Sequence, residues 1–228
     1  MIRDGNLAIR HITRNDLATL VPLLNDLELR GEFLPGAITS PRTFEKNFDT
    51  DGLSNDSHEK LLIVDQDDSI LGIIWHFKSV PYFNAREIGY TVLARAQRNS
   101  GIATRAVRML SRYLFNALLI NRLEIRMNTS NLASEKVAIK CGFTREGVAR
   151  GANFVLGRHV DMAVYALLRE EAMAAQIPGS ASTYAVPGDS GEQEKSGKQA
   201  PSAKQEKPGK AYKARKLAPS LQPEKSDK

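Results

Sequence analysis

The chain has 228 residues, with 32 Lys and Arg against 26 Asp and Glu, for a formal net charge of +6. That length supports one substantial domain with a true core, and no apolar run approaches the roughly 20 residues needed to cross a bilayer. A single cysteine, Cys141, excludes an internal disulfide framework and any paired-cysteine motif, and four scattered histidines lack ligand spacing, so no metal is expected. The N-terminus shows no charged-then-apolar signal pattern, which makes a cytoplasmic location the expectation.

Residues 7–13 alternate apolar and polar side chains and read as an opening strand. The segment from Thr13 to Asp16 supplies cap chemistry, and Leu17, Leu20, Leu23, Leu24 and Leu27 form a helical stripe that Pro22 should kink or split. Residues 31–36 form a loop holding Glu32, Phe33 and Leu34. Ser40 and Pro41 then open a second helix, which carries Phe44 and Phe48 and fades at Asp51 and Gly52. Residues 59–66 and 70–80 are two strands joined by a turn at Asp67, Asp68 and Ser69. Trp75, His76 and Phe77 on the second of these read as sheet packing, with an acceptor groove the less favoured role for His76.

Residues 86–106 hold the most informative pattern. Ile88, Tyr90 and Val92 alternate with Gly89, Thr91 and Leu93 as a strand, and Ile102, Ala103, Ala106, Val107 and Leu110 recur at helical spacing. The polar turn between them delivers backbone N–H groups to a helix N-terminus, where unpaired donors and the helix dipole favour an anion such as a phosphate or pyrophosphate. Beyond it, residues 122–128 form a short alternating strand, residues 131–140 a helix closing at Gly142, and residues 147–156 and 158–168 two final strands. Composition changes at about Pro178: six of the ten prolines follow, with many Lys, Gln, Ser and Gly, and ten basic residues against six acidic, a net of +4. The first 177 positions therefore carry only about +2. A domain over residues 1–177 and a disordered Lys/Pro-rich tail over 178–228 are the expected organisation.

The pattern Arg98-x-x-Gly101-x-Ala103 resembles the acetyl-CoA motif of the GNAT N-acetyltransferases, with Glu87-Ile88-Gly89-Tyr90 before it on a strand. Asn131-x-x-Ser134-x-x-Val137-Ala138-x-Lys140-x-Gly142-Phe143 resembles a signature of the ribosomal-protein acetyltransferases of the RimJ/RimL type. The resemblance implies an α+β, three-layer fold: a mixed, mostly antiparallel twisted sheet with helices on both faces and splayed central strands. It implies acetyl-CoA as cosubstrate, with Arg98, Asn99, Ser100, Gly101, Ile102, Ala103 and Thr104 at its pyrophosphate. Tyr90, Thr91 and Val92 would lie along the pantetheine arm, where a bulge would present an N–H to the developing oxyanion. Asn131 would bond the pantetheine, and Ser134 would protonate the departing thiolate.

Two positions depart from the family pattern. Gly is usual where Asn99 stands and a basic residue where Ser100 stands, although Asn tolerates left-handed geometry. RimL-like enzymes place a glutamate where Asn153 aligns, and an amide cannot take the proton. Glu87 is the remaining candidate base. The resemblance points to acetylation of a primary amine, a protein N-terminal α-amine first, with a polyamine, amino acid or amine antibiotic as the alternative. A non-catalytic CoA-binding domain with a tail that contacts ribosomal RNA is a reading of a different class. Either a monomer or a homodimer fits the sequence.

Overall fold

Six antiparallel pairings and one parallel pairing join the strands into one sheet of order β1-β2-β3-β4-β5-β6-β8-β7. The computed structural model describes residues 1–174 apart from Pro35 and Ser79. The expected tail over 178–228, and the last three positions of the expected domain, lie outside the described residues. The strands are β1 (Ile2–Asp4), β2 (Leu7–His11), β3 (His58–Val64), β4 (Ile70–Phe77), β5 (Ala85–Val92), β6 (Arg122–Asn128), β7 (Thr144–Val155) and β8 (Arg158–Leu168). The helices are α1 (Leu17–Asn25), α2 (Leu27–Arg30), α3 (Pro41–Asp51), α4 (Ile102–Ala117), α5 (Leu132–Lys140) and α6 (Arg169–Ala174). Only β5 and β6 run parallel.

Period-two alternation sends each strand's apolar residues to opposite faces, and the two faces build two cores. On one, Ile9, Leu61, Ile63, Ile74, Ile88, Leu123 and Ile125 meet the apolar stripe of α4, including Leu110, Leu114 and Phe115. On the other, Ala8, Leu62, Val64, Ile73 and Leu93 meet Leu17, Leu20 and Val21 of α1 and Phe44 of α3. Full burial of each large apolar side chain is worth about 1.5–3 kcal/mol, so both helical layers are tied firmly to the sheet. This is the three-layer arrangement that the family resemblance implied.

Several local readings change. Pro22 sits inside α1, and the break falls later, at Asp26, whose backbone turns extended while its carboxylate accepts from the N–H groups of Glu28 and Leu29 to start α2. Pro22 withholds a donor from the Ala18 carbonyl, and Ala18 is exposed, so water can replace the missing bond. Ser40 makes no side-chain cap bond, although Pro41 occupies the first helical turn as expected. The strand read from Gly147 begins at Thr144, and neither β1 nor α6 was expected.

Arg169 ends the sheet by closing α4. Its Nε and Nη2 donate to the carbonyls of Ile120 (2.8 Å) and Leu118 (2.6 Å), Nη1 donates to that of Phe115, and the guanidinium lies 5.3 Å from the Phe115 ring centroid. The Phe115 carbonyl belongs to the last turn of a 16-residue helix and those of Leu118 and Ile120 follow it, where carbonyls have no intrahelical partners. Arg169→Ala is expected to cost about 2–4 kcal/mol, since charge-assisted bonds to otherwise unpaired carbonyls are lost. Chemical denaturation of the two proteins measures it, and Arg169→Lys should recover less than half.

Candidate active site

β5 and β6 pair only at Ala85↔Arg122, Arg86↔Leu123 and Glu87↔Glu124. Beyond that rung β5 stays in register with β4 as far as Gly72↔Val92, while β6 stays with β8 as far as Asn128↔Met162. The sheet is therefore split along its centre, and residues 88–92 present backbone groups on one edge to a gap. An unpaired strand edge is a template for extended chain-like ligands. The bulge expected on β5 is absent: the β4–β5 register is uninterrupted. Free N–H groups arise here from divergence of the strands.

The gap opens toward the N-terminus of α4. Asn99 (φ 63°) and Gly101 (φ 86°) both take left-handed geometry, and Gly101 caps the helix without any side-chain bond. The N–H groups of Ile102, Ala103 and Thr104 are thus bare donors at a positive helix end. Ile102 buries its side chain in the core (6 % exposed), so only its backbone can serve a ligand. The Ser100 hydroxyl donates to the Gln97 carbonyl (2.5 Å) and tightens the turn. Arg98 turns back onto the protein, Nε donating to the Val92 carbonyl (3.3 Å) and Nη2 to that of Leu29 in α2.

At the closed end of the gap stands Glu87, on the face shared with α1 and α3. Burial pushes its carboxyl up to about 7, against the pull of Arg126, whose Nε lies 3.3 Å from Glu87 Oε2; nearby Glu124 pushes the same way as burial. Phe77 lies level with Glu87 across β4. Two pairs further on, the Trp75 indole covers Gly89 so closely that a β-carbon there would meet it at 2.3 Å. That contact explains the glycine between Ile88 and Tyr90.

The opposite face carries hydroxyls. Tyr90 Oη lies 2.8 Å from Ser134 Oγ and also donates to the Ser134 carbonyl (3.3 Å). Burial pushes the Tyr90 phenol upward, with the Ser134 bond opposing, so the phenol stays protonated across the physiological range. Asn131 is the N-cap of α5, its Oδ1 accepting from the Ser134 N–H (3.0 Å). The cap fixes Ser134 in the first turn against Tyr90. Sequence reasoning named both residues but not their pairing, which joins positions 44 apart.

Other candidates fall elsewhere. His76 is buried on the α4 face, bonded through Nε2 to Glu59 Oε2 (2.9 Å), away from the Glu87 face. Cys141 is buried, its thiol pushed up to about 11 by burial, and it donates weakly to the Thr104 carbonyl (3.4 Å), a packing role. Asn153 pairs with Val160, six positions along β8 from Ala166, the residue level with Glu124. Among the described residues no group of three or more His, Cys, Asp or Glu is placed to hold a metal ion. Two residues beside Glu87 that the sequence reading passed over, Glu124 and Arg126, had a visible signal. In the alternating strand of residues 122–128, Arg122, Glu124 and Arg126 share one face.

A sheet parted at its centre, with a bare helix N-terminus at the open end and ionisable groups at the closed one, suits an extended ligand with an anionic head. That is the architecture of the GNAT fold. The acetyltransferase (GNAT) domain model matches residues 6–144, more than half of the chain, and the chain belongs to this family. It is similar to YdaF of Bacillus subtilis (40% identical over 85 residues, 37% of this chain and 46% of that one). It is also similar to the ribosomal-protein-serine acetyltransferase of Escherichia coli (27% over 109 residues, 48% of this chain and 60% of that one). These matches span about half the length of the curated relatives. Among solved structures, the spermidine N-acetyltransferase of Vibrio cholerae in complex with CoA and spermine aligns with a TM-score of 0.66 at 18% identity, covering 75% of this chain and 99% of that one. That likeness is one of fold.

Proposed function

We propose that the domain moves the acetyl group of acetyl-CoA to a primary amine, with a protein N-terminal α-amine as the acceptor. One observation carries the reading: Glu87 and the Tyr90–Ser134 pair occupy opposite faces of the sheet, with the β5–β6 gap between them. A thioester held in that gap has a proton acceptor on one side and proton donors on the other. The first-turn amides of α4 suit the pyrophosphate, and the edge of residues 88–92 suits the pantetheine amides. Acetyl-CoA supplies an activated acyl carbon. Glu87 takes a proton from the attacking nitrogen, directly or through one water, as that nitrogen bonds to the carbon. The Tyr90–Ser134 hydroxyls give a proton to the sulfur as the C–S bond breaks. The backbone edge of β5 meets the charge that develops on the thioester oxygen.

Support for a single α-amine over a polycation comes from the charge on the Glu87 face. In the ion-paired cluster around it, Glu87, Glu124 and Glu146 meet Arg122 and Arg126, a sum of one negative charge when all five are ionised. That suits one ammonium and offers little to a polyamine. The spermidine enzyme is a fold neighbour, and the E. coli serine acetyltransferase supports the protein acceptor.

The test is an acetyl-CoA consumption screen across N-terminal peptides, spermidine and amine antibiotics. Peptides should be turned over with the highest kcat/KM. Spermidine turnover tenfold above every peptide would overturn the acceptor, and absence of both turnover and acetyl-CoA binding would overturn the whole reading. Ser134→Ala and Tyr90→Phe should each cost about tenfold in kcat, and together about 10²-fold or more, because either hydroxyl can stand in for the other.

A further inference from the structure

We propose that Arg126 is a positioning residue for Glu87, held by Glu124, and that together they set the pH at which the base becomes active. The inference rests on the reading of Glu87 as that base. Glu87 and Glu124 are the last paired rung of β5 and β6, so the register places two carboxylates side by side on one face. Such a like-charge pair is unfavourable unless a cation bridges it. Arg126, two positions along β6 on the same face, is that cation. Its Nη2 is 2.8 Å and its Nε 3.3 Å from Glu124 Oε2, while its Nε is also 3.3 Å from Glu87 Oε2.

The bridge is lopsided. Glu124, 1 % exposed, takes two of the contacts and receives Arg122 Nε at 2.7 Å on its other oxygen. Burial opposes ionisation of Glu124, yet the two guanidiniums hold its pKa below the usual carboxylate range. Arg122 in turn reaches Glu146 on β7, with Nη1 2.7 Å from Oε1. The result is a chain of alternating sign, Glu87–Arg126–Glu124–Arg122–Glu146, across β5, β6 and β7. Glu87 is its end member and receives the weaker share of Arg126.

Other elements on this face add little at Glu87. β8 contributes apolar Val164 and Ala166 at the level of β6, and β4 contributes Phe77. On β3, Lys60 lies level with Trp75 and His58 with Phe77, and His58 is engaged with Asp51 of α3 (3.8 Å). The chain therefore works as a divider. Removing the shared cation should make Glu87 harder to ionise, whereas removing Glu124 returns the whole of Arg126 to Glu87 and deletes a repelling charge. The two substitutions act in opposite directions.

The experiment is the pH dependence of kcat/KM with an active peptide, for the full chain and its variants. Arg126→Gln should move the acidic limb up by about one pH unit, an approximately tenfold loss at pH 6.5 that shrinks to within about twofold at pH 9. Arg126→Lys should restore about half of that displacement. Glu124→Gln should move the limb down by a similar amount. A purely structural role would lower the whole profile without moving its midpoint, and profiles that superimpose on the parent's after scaling would overturn the proposal. Should Glu124→Gln fail to fold, a ¹³C titration of the Glu87 carboxyl in Arg126→Gln reads the same displacement, and an unmoved midpoint there overturns it equally. Glu87→Gln is the control for the underlying reading: full activity in that variant would remove the base itself, whereas its inactivity combined with unmoved limbs would remove only the roles of Arg126 and Glu124.

Discussion

Glu87→Gln is expected to lower kcat/KM by roughly 10²–10⁴ and to make the folded protein more stable at pH 8. The two effects share a cause. A carboxyl whose folded pKa is raised from 4.5 to about 7 by burial binds its proton more tightly when folded, so stability declines as pH rises from about 4.5 through 7. Above pH 7 the folded state carries a buried charge at a cost of up to about 3 kcal/mol, taking about 1.4 kcal/mol per pH unit of difference. Glutamine has the same shape and no charge to bury. Thermal melts at pH 5 and pH 8 should show the variant's advantage at pH 8 and its near disappearance at pH 5. An active variant with the parent's pH-dependent stability would show that Glu87 is neither base nor buried charge.

The second large effect is expected at Gly101. A β-carbon there would meet nothing within 4 Å, so a substitution is penalised through its φ of 86° alone. Left-handed geometry costs an ordinary L-residue about 1–2 kcal/mol, and more for a β-branched one. The strain is relieved by turning the peptide that aims the first amides of α4. Gly101→Val should therefore weaken acetyl-CoA binding by about 10–100-fold, Gly101→Ala by about tenfold, and both should leave kcat at saturation within about threefold. Asn99→Gly, at φ 63°, should bind within twofold of the parent, since Gly accepts that geometry without cost. Calorimetric titration with acetyl-CoA separates these cases. Equal affinity for Gly101→Val would place the pyrophosphate elsewhere.

The parts of the fold that could be read from sequence are those built by local periodicity. The alternation of Ile88, Tyr90 and Val92 and the α4 stripe are each set by residues a few positions apart. The polar turn before α4 was readable for the same reason, and the left-handed geometry admitted at Asn99 is a property of a single position; that of Gly101 came only with the structure. What escaped depends on register between distant segments. The Tyr90–Ser134 contact and the Glu87–Glu124 rung exist only once β5, β6 and α5 are placed together. The expected bulge on β5 was an inference about how N–H groups become free, and strand divergence achieves the same end without one. Pro22 misled because the cost of a proline in a helix falls on a carbonyl one turn back, and at Ala18 that carbonyl is open to water.

The split between β5 and β6 has a consequence for how the protein persists. A sheet that parts after three rungs leaves its most central strand with one neighbour over most of its length. On the proposed reading, a pantetheine arm laid along residues 88–92 would complete the sheet there like an added strand. A ligand that completes a sheet adds its binding free energy to the folded state, about 2.7 kcal/mol when present at a hundred times its Kd. On that reading, the stability of this protein would rise with the acetyl-CoA concentration around it, which a thermal melt at increasing acetyl-CoA would measure.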